Sequence, residues 1–167
     1  MNEIADILNE ENIFIMIIGG TASGKSFCYK NNLSLFPLID IDEYTFKLSN
    51  GDWELARKMV GKAIKMVEED LFKMFNKRQS VVNTGTGASL AGVMKKITKA
   101  KECNMKTAII LVDVPLEVAL QRNKERSLKG ERNLIPDYKV ERTNIQAREN
   151  FSEFIKHTDY KIILKDW

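Results

Sequence analysis

The sequence predicts an α/β fold in which helices cover both faces of a parallel sheet. Three observations carry this. Residues 13–18 and 106–112 are almost unbroken apolar runs, which suit strands buried on both faces. Between the runs lie stretches with an apolar residue every three or four positions, so strands alternate with helices and the crossovers are right-handed. The first run also stops abruptly at a glycine-rich turn, Gly19-Gly20-Thr21-Ala22-Ser23-Gly24, that leads straight into helix-forming residues.

Within residues 1–11, Ile4, Ile7 and Leu8 fall on one side of a short helix that props the sheet. The strand at 13–18 and the turn follow, then a short helix at about 25–31. Residues 33–41 read as a second strand entered through Pro37. Ser49, Asn50, Gly51 and Asp52 make a turn and cap, with Asp52 accepting bonds from the free amides of a helix that runs to about Lys77. Its apolar positions, Ala56, Met59, Val60, Ala63, Val67, Leu71, Met74 and Phe75, form one stripe, and methionine at that spacing is core.

Residues 80–84 read as a third strand ending in NTGTG. Ser89 then caps a helix carrying Leu90, Val93, Met94 and Ile97 that stops near Asn104. Residues 106–112 form a fourth and central strand. Pro115 suits the first turn of the next helix, and residues 160–164 make a fifth strand. His157 falls on a late amphipathic helix beside Phe154 and Ile155 as a structural residue. Trp53 and Trp167 read as packing anchors, with Trp53 near enough to the acidic segment at 40–43 to meet a substrate.

The chain has 167 residues, 44% apolar and 29% charged, enough for one domain over 1–167 with a substantial core. A net charge of +3 permits an anionic substrate but is too mild to argue for a nucleic-acid surface. Cys28 and Cys103 have no C-x-x-C spacing and no neighbouring histidine. They read as core residues of a reducing compartment, and a zinc site or disulfide framework is not expected. No run approaches 18 apolar residues and the N-terminus is acidic, so the expectation is a cytoplasmic protein with no membrane association. No repeat or linker divides the chain.

The turn carries chemistry. Gly19, Gly20, Thr21, Ala22, Ser23, Gly24, Lys25 and Ser26 match G-x-x-x-x-G-K-[ST], a P-loop, in the strand-to-helix setting it requires. Glycines let successive amides converge on phosphate oxygens, and the helix start adds partial positive charge. Lys25 would bridge the β- and γ-phosphates, and the Ser26 hydroxyl would ligate Mg²⁺. The same glycines could merely turn a strand into a helix, but the whole pattern arises by chance at only about 4 × 10⁻⁵ per position.

Phosphoryl transfer also needs a group to take the acceptor's proton and positive charge to meet the transition state. Asp42, in LIDIDEYT after the second strand, is the candidate base. In an extended segment Asp40 and Asp42 share a face, so Asp40 could support the metal while Asp42 serves the acceptor. A solvated loop or a helix N-cap would give the same acidic cluster. Residues 121–132, QRNKERSLKGER, hold five basic residues against two acidic ones. Arg122 and Arg126 lie four apart on one helical face, and Gly130 offers a hinge. An arginine-rich lid at about 121–136 would close on the phosphates; a solvated charged helix would have the same composition.

The P-loop, IDIDEY, VVNTGTG and QRNKERSLKGERNLIPDYKV together resemble the zeta-toxin-like P-loop kinases, which are similar in turn to the kinase domain of phage-type polynucleotide kinases. The resemblance spans residues 13–155. It implies a three-layer, nucleotide-kinase-like P-loop fold with a five-stranded parallel sheet. It further implies ATP with Mg²⁺ and transfer of the γ-phosphoryl to a hydroxyl of a nucleotide, a nucleotide sugar or a nucleic-acid 5′ end. By motif, Lys25 and Ser26 take the phosphate and metal roles and Asp42 the general-base position. Arg122 and Arg126 take the lid contacts to ATP, and Arg132 matches more weakly. Relatives often carry an acid at the end of the third strand, where this chain has Asn83 and Thr84. Two narrower readings remain open as enzymes: a UDP-N-acetylglucosamine kinase of zeta-toxin type with a small antitoxin partner, and a polynucleotide kinase proper. A nucleotide-dependent binding module with slow ATPase activity is the rival of another class.

Overall fold

A computed structural model of the chain describes residues 3–165, so Trp167 lies outside the described residues. Strands β1 (Ile13–Ile18), β2 (Leu38–Asp40), β3 (Val81–Gly85), β4 (Lys106–Val112) and β5 (Tyr160–Leu164) form one parallel sheet in the order β2-β3-β1-β4-β5. Helices are α1 (Glu3–Leu8), α2 (Lys25–Asn32), α3 (Ile41–Leu48), α4 (Trp53–Asn76), α5 (Leu90–Glu102), α6 (Leu116–Leu128) and α7 (Asp137–Phe154).

Every residue of β1 is buried, as a central strand with helices on both sides demands. Phe14, Met16 and Ile18 pack with Val67, Leu71 and Phe75 of α4 and Val93 and Ile97 of α5. Ile13, Ile15 and Ile17 point the other way, to Ile7 of α1, Cys28 of α2 and Ala119 of α6. α7 reaches both layers, giving Val140 to the second cluster and Ala147, Phe151 and Phe154 to the first. The rings of Phe14 and Phe75 meet edge to face at 4.8 Å and both are fully buried. Truncation of Phe14 to Ala is expected to cost about 3–5 kcal/mol in a urea unfolding titration; a loss below about 1 kcal/mol would contradict this account of the core.

Five expectations are corrected. The second strand covers 38–40 instead of 33–41, because Leu33 caps α2 through its amide to the Tyr29 carbonyl and Phe36 turns back on Leu33. The acidic segment is not extended: Asp40 is the N-cap of α3, its carboxylate accepting from the Asp42 amide at 2.9 Å. Val60 of the α4 stripe is 40% exposed, and His157 lies one turn beyond α7, held by Glu153. Pro115 stands at the N-cap of α6, one residue ahead of its first turn. No helix among the described residues is long and apolar enough to cross a membrane.

Candidate active site

The carboxyl ends of β1, β2 and β3 open on one cleft. It is lined by Thr21 to Ser26, by Asp40 to Asp42, by Thr84 to Thr86, and by Arg126 and Arg132. Its floor is the turn after β1. Gly24 has φ +107°, which glycine takes at no steric cost, and Ala22 has φ +61°, left-handed values that bend the chain tightly. The first-turn amides of α2 have no carbonyl one turn back, and they begin at this cleft. Lys25 extends over the loop, with Nζ donating to the carbonyls of Gly19 at 2.8 Å and Gly20 at 3.0 Å. Burial pulls its ammonium down to about 8, partly offset by the Asp42 and Asp40 carboxylates. Ser26 lies at the lip.

Asp40 and Asp42 line the same cleft, though the helical turn between them replaces the expected shared strand face. Burial raises the Asp40 pKa, opposed by the Asp42 amide and the Thr84 hydroxyl. Asp42 sits in the first turn of α3, and Arg132 grips its carboxylate, Nη1 to Oδ2 at 3.0 Å and Nη2 to Oδ1 at 3.5 Å. Asn83 is absent from the cleft. It lies with Met16 and Ile39 on the opposite sheet face, donating to the Ile39 carbonyl and accepting from Lys96, so the strand end that meets the cleft is Thr84.

The basic segment divides. α6 ends at Leu128 in a Schellman turn, with Gly130 at φ +70° donating to Ser127 and Glu131 donating to Arg126. Arg126 faces the cleft and is 3.9 Å from Glu131. Arg122, one turn earlier, donates from Nη1 to the Ser23 carbonyl at 2.9 Å, so it braces the loop's backbone. Arg132, on the loop after Gly130, reaches Asp42. Arg122 and Arg126 together line a groove over Ala22, Gly24 and Phe27, and of the two only Arg126 also lines the phosphate cleft.

Residues on α7 that the sequence did not single out hold this machinery. Thr143 Oγ1 accepts from the Thr21 amide at 3.0 Å, and Asn144 packs so closely on Gly20 that an added Cβ there would lie 2.1 Å from the Asn144 Cγ. Arg148 pairs with Asp113 and donates to the Val114 carbonyl, while Asn150 donates to the carbonyls of Gly87 and Ala88. One helix therefore anchors the loops after β1, β3 and β4. A signal was present, since Asn144 interrupts the buried stripe Val140, Ala147, Phe151, Phe154.

A family model described as an AAA domain matches residues 14–150. No curated protein matches the chain. Among solved structures it is similar to a chain of the Pnkp1/Rnl/Hen1 RNA repair complex, with TM-score 0.70 and 17% identity over 87% of this chain and 47% of that one. This chain therefore spans about half the length of that relative. It is similar to a chain of the PezAT chromosomal toxin-antitoxin system of Streptococcus pneumoniae, with TM-score 0.70 and 14% identity over 98% of this chain and 77% of that one. It is also similar to a gluconokinase from Sinorhizobium meliloti 1021, with TM-score 0.60 and 15% identity over 94% and 84% of the two chains. At such identities the likeness is one of fold, and the fold is the three-layer α/β P-loop type. Both groups that the sequence resembles are among these neighbours.

Proposed function

The chain belongs to the AAA domain family, and on that premise we propose that it is an ATP-dependent phosphotransferase acting on a hydroxyl. One observation carries the reading: the P-loop lysine, a carboxylate on a helix start, Arg126 from the last turn of α6 and Arg132 from the α6–α7 connection converge on a single cleft. In the proposed reaction the acceptor oxygen attacks the γ-phosphorus, the bond to the β,γ-bridging oxygen breaks, and ADP leaves. The acceptor proton passes to Asp42. Lys25 and the amides of residues 19–26 hold the phosphates, and Arg126 meets the charge spread over the transferring oxygens. Arg122 serves by fixing the Ser23 carbonyl and hence the loop. Residues 121–136 act as the lid, with Arg132 on its far limb.

Ser26, Asp40 and the neighbouring Thr84 present the hard oxygen donors that suit Mg²⁺, and Asp40 is already half-buried beside the cradle. Bound there, the ion would neutralise phosphate charge. The fold would operate as one domain over 1–167, in the cytoplasm, with a hydroxyl-bearing nucleotide-like acceptor. A protein partner of antitoxin type is a further outcome to probe.

The test is transfer from γ-labelled ATP to a panel of nucleosides, UDP-N-acetylglucosamine, sugar acids and 5′-hydroxyl oligonucleotides. Label in one class of acceptor is expected. Release of inorganic phosphate alone, with every acceptor unlabelled, would instead establish the nucleotide-dependent binding module.

A further inference from the structure

Beside the phosphate cleft lies a second cavity of about 280 Å³, between the first turns of α3 and α4 and the loop before α7. The two cavities share Ile41, Asp42 and Arg132, so they are continuous at the candidate base. The walls of the second are mostly apolar: Trp53 opens α4, Val60 is 40% exposed, and Ile135 closes the far side. Phe46, 49% exposed, packs on Trp53 with ring centroids 5.8 Å apart and extends this face. Val60 departs from the core stripe because it lines this cavity. Two guanidinium groups interrupt the apolar lining. Arg132 is paired with Asp42, whereas Arg57 makes no ion pair among the described residues.

Both oxygens of Asp42 are engaged by Arg132. A hydroxyl approaching this carboxylate must compete with the guanidinium for the same two oxygens. Its oxygens open to a hydroxyl when Arg132 turns to another anion, and Arg57 marks where such an anion would sit.

We infer that this cavity is the acceptor subsite. The acceptor it takes is a small hydroxyl compound bearing a phosphate or carboxylate, which Arg57 and Arg132 hold while its ring or carbon face lies on Trp53. Binding of that anion draws Arg132 away from Asp42 and opens its carboxylate to the acceptor hydroxyl. The inference rests on the phosphotransferase reading. It is narrower than that reading because neutral hydroxyl compounds are excluded. The cavity suits a monosaccharide or a nucleoside, and only two cations line it, fewer than a nucleic-acid strand would engage.

The test uses the full chain with Trp167→Phe, so that Trp53 is the only tryptophan reporter, and with the cradle saturated by Mg²⁺ and a non-hydrolysable ATP analogue. Three matched pairs are titrated: gluconate and glucose, ribose 5-phosphate and ribose, uridine 3′-monophosphate and uridine. At least one anionic member is expected to bind about tenfold or more tightly than its neutral partner, the size of a charge-assisted hydrogen bond. Arg57→Ala should erase that preference and Arg57→Lys restore part of it, with affinity for the ATP analogue unchanged. The pair that shows the preference separates phosphate from carboxylate. Equal binding within every pair, or a preference indifferent to Arg57→Ala, overturns the inference. Much tighter binding of a 5′-hydroxyl oligonucleotide than of its monophosphate also overturns it, in favour of a nucleic-acid end. Transfer from ATP to the same compounds is scored in parallel. An intact preference with no transfer to these compounds or to the wider acceptor panel defeats the phosphotransferase reading and leaves an anion-binding cavity, whereas transfer to neutral and anionic members alike upholds that reading and overturns the inference.

Discussion

Replacement of Lys25 by Ala is expected to lower phosphoryl transfer by about 10² to 10³-fold, the cost of removing one preorganised donor from a developing charge. Affinity for MgATP should fall about ten- to a hundredfold, since a charge-assisted contact to phosphate is lost. The fold should survive, because Lys25 begins α2 at the lip of the cleft and contributes nothing to either apolar cluster. The same residue gives a pH dependence whose sign is fixed. Burial leaves its pKa at about 8, below the ordinary lysine value. The phosphates bind the protonated form, so affinity is fully present below about 8 and declines as the pH rises through it. Calorimetric titration of an ATP analogue between pH 6.5 and 9.5 would show a decline in the native protein and a flat profile in Lys25→Ala. Equal slopes in the two would locate the titrating group elsewhere.

The parts of this molecule that were legible in its sequence are those governed by short-range rules. The runs at 13–18 and 108–112 are apolar without interruption because their positions in the sheet expose no face, and position and pattern therefore coincide. The turn from Gly19 to Ser26 was legible because a backbone cradle fixes where glycine must stand. The segment IDIDEY was misread because its alternation imitates a strand, whereas one carboxylate oxygen of Asp40 caps α3 and β2 ends at that residue. A residue that both ends a strand and caps a helix has the same letter in either role.

Least legible was the support from α7. The hydrogen bond from the Thr21 amide to Thr143 joins residues 122 positions apart, and no local pattern encodes such a distance. Asn144 and, in α6, Asn123 betray themselves only as polar residues on buried helix faces. Each reaches a loop: Asn123 exchanges bonds with both the amide and the carbonyl of Ile135, and Asn144 donates to the Val140 carbonyl at 2.8 Å and to the Thr21 carbonyl at 3.4 Å. A buried amide side chain is retained where it bonds backbone that would otherwise lose its partners. These two asparagines therefore mark where the loops of the site are tied to the helical layer.

Replacement of Asp42 by Asn separates the base from the cradle. The expected result is loss of transfer by about 10² to 10⁴-fold with MgATP affinity nearly unchanged, since a positioned general base contributes on that order and the Asp42 carboxylate is hydrogen-bonded to Arg132. The substitution keeps shape, and it leaves the cap on α3 intact because the capping carboxylate belongs to Asp40. It does remove the ion pair with Arg132, which is more than half exposed on the aspartate side, so global stability should move little. Binding of ATP is measured by equilibrium dialysis and transfer by labelled product. Turnover equal to that of the native protein would dismiss Asp42 as base. Loss of both transfer and ATP binding would show instead that the carboxylate and Arg132 together order the cleft, and the proton would then have to leave by another route.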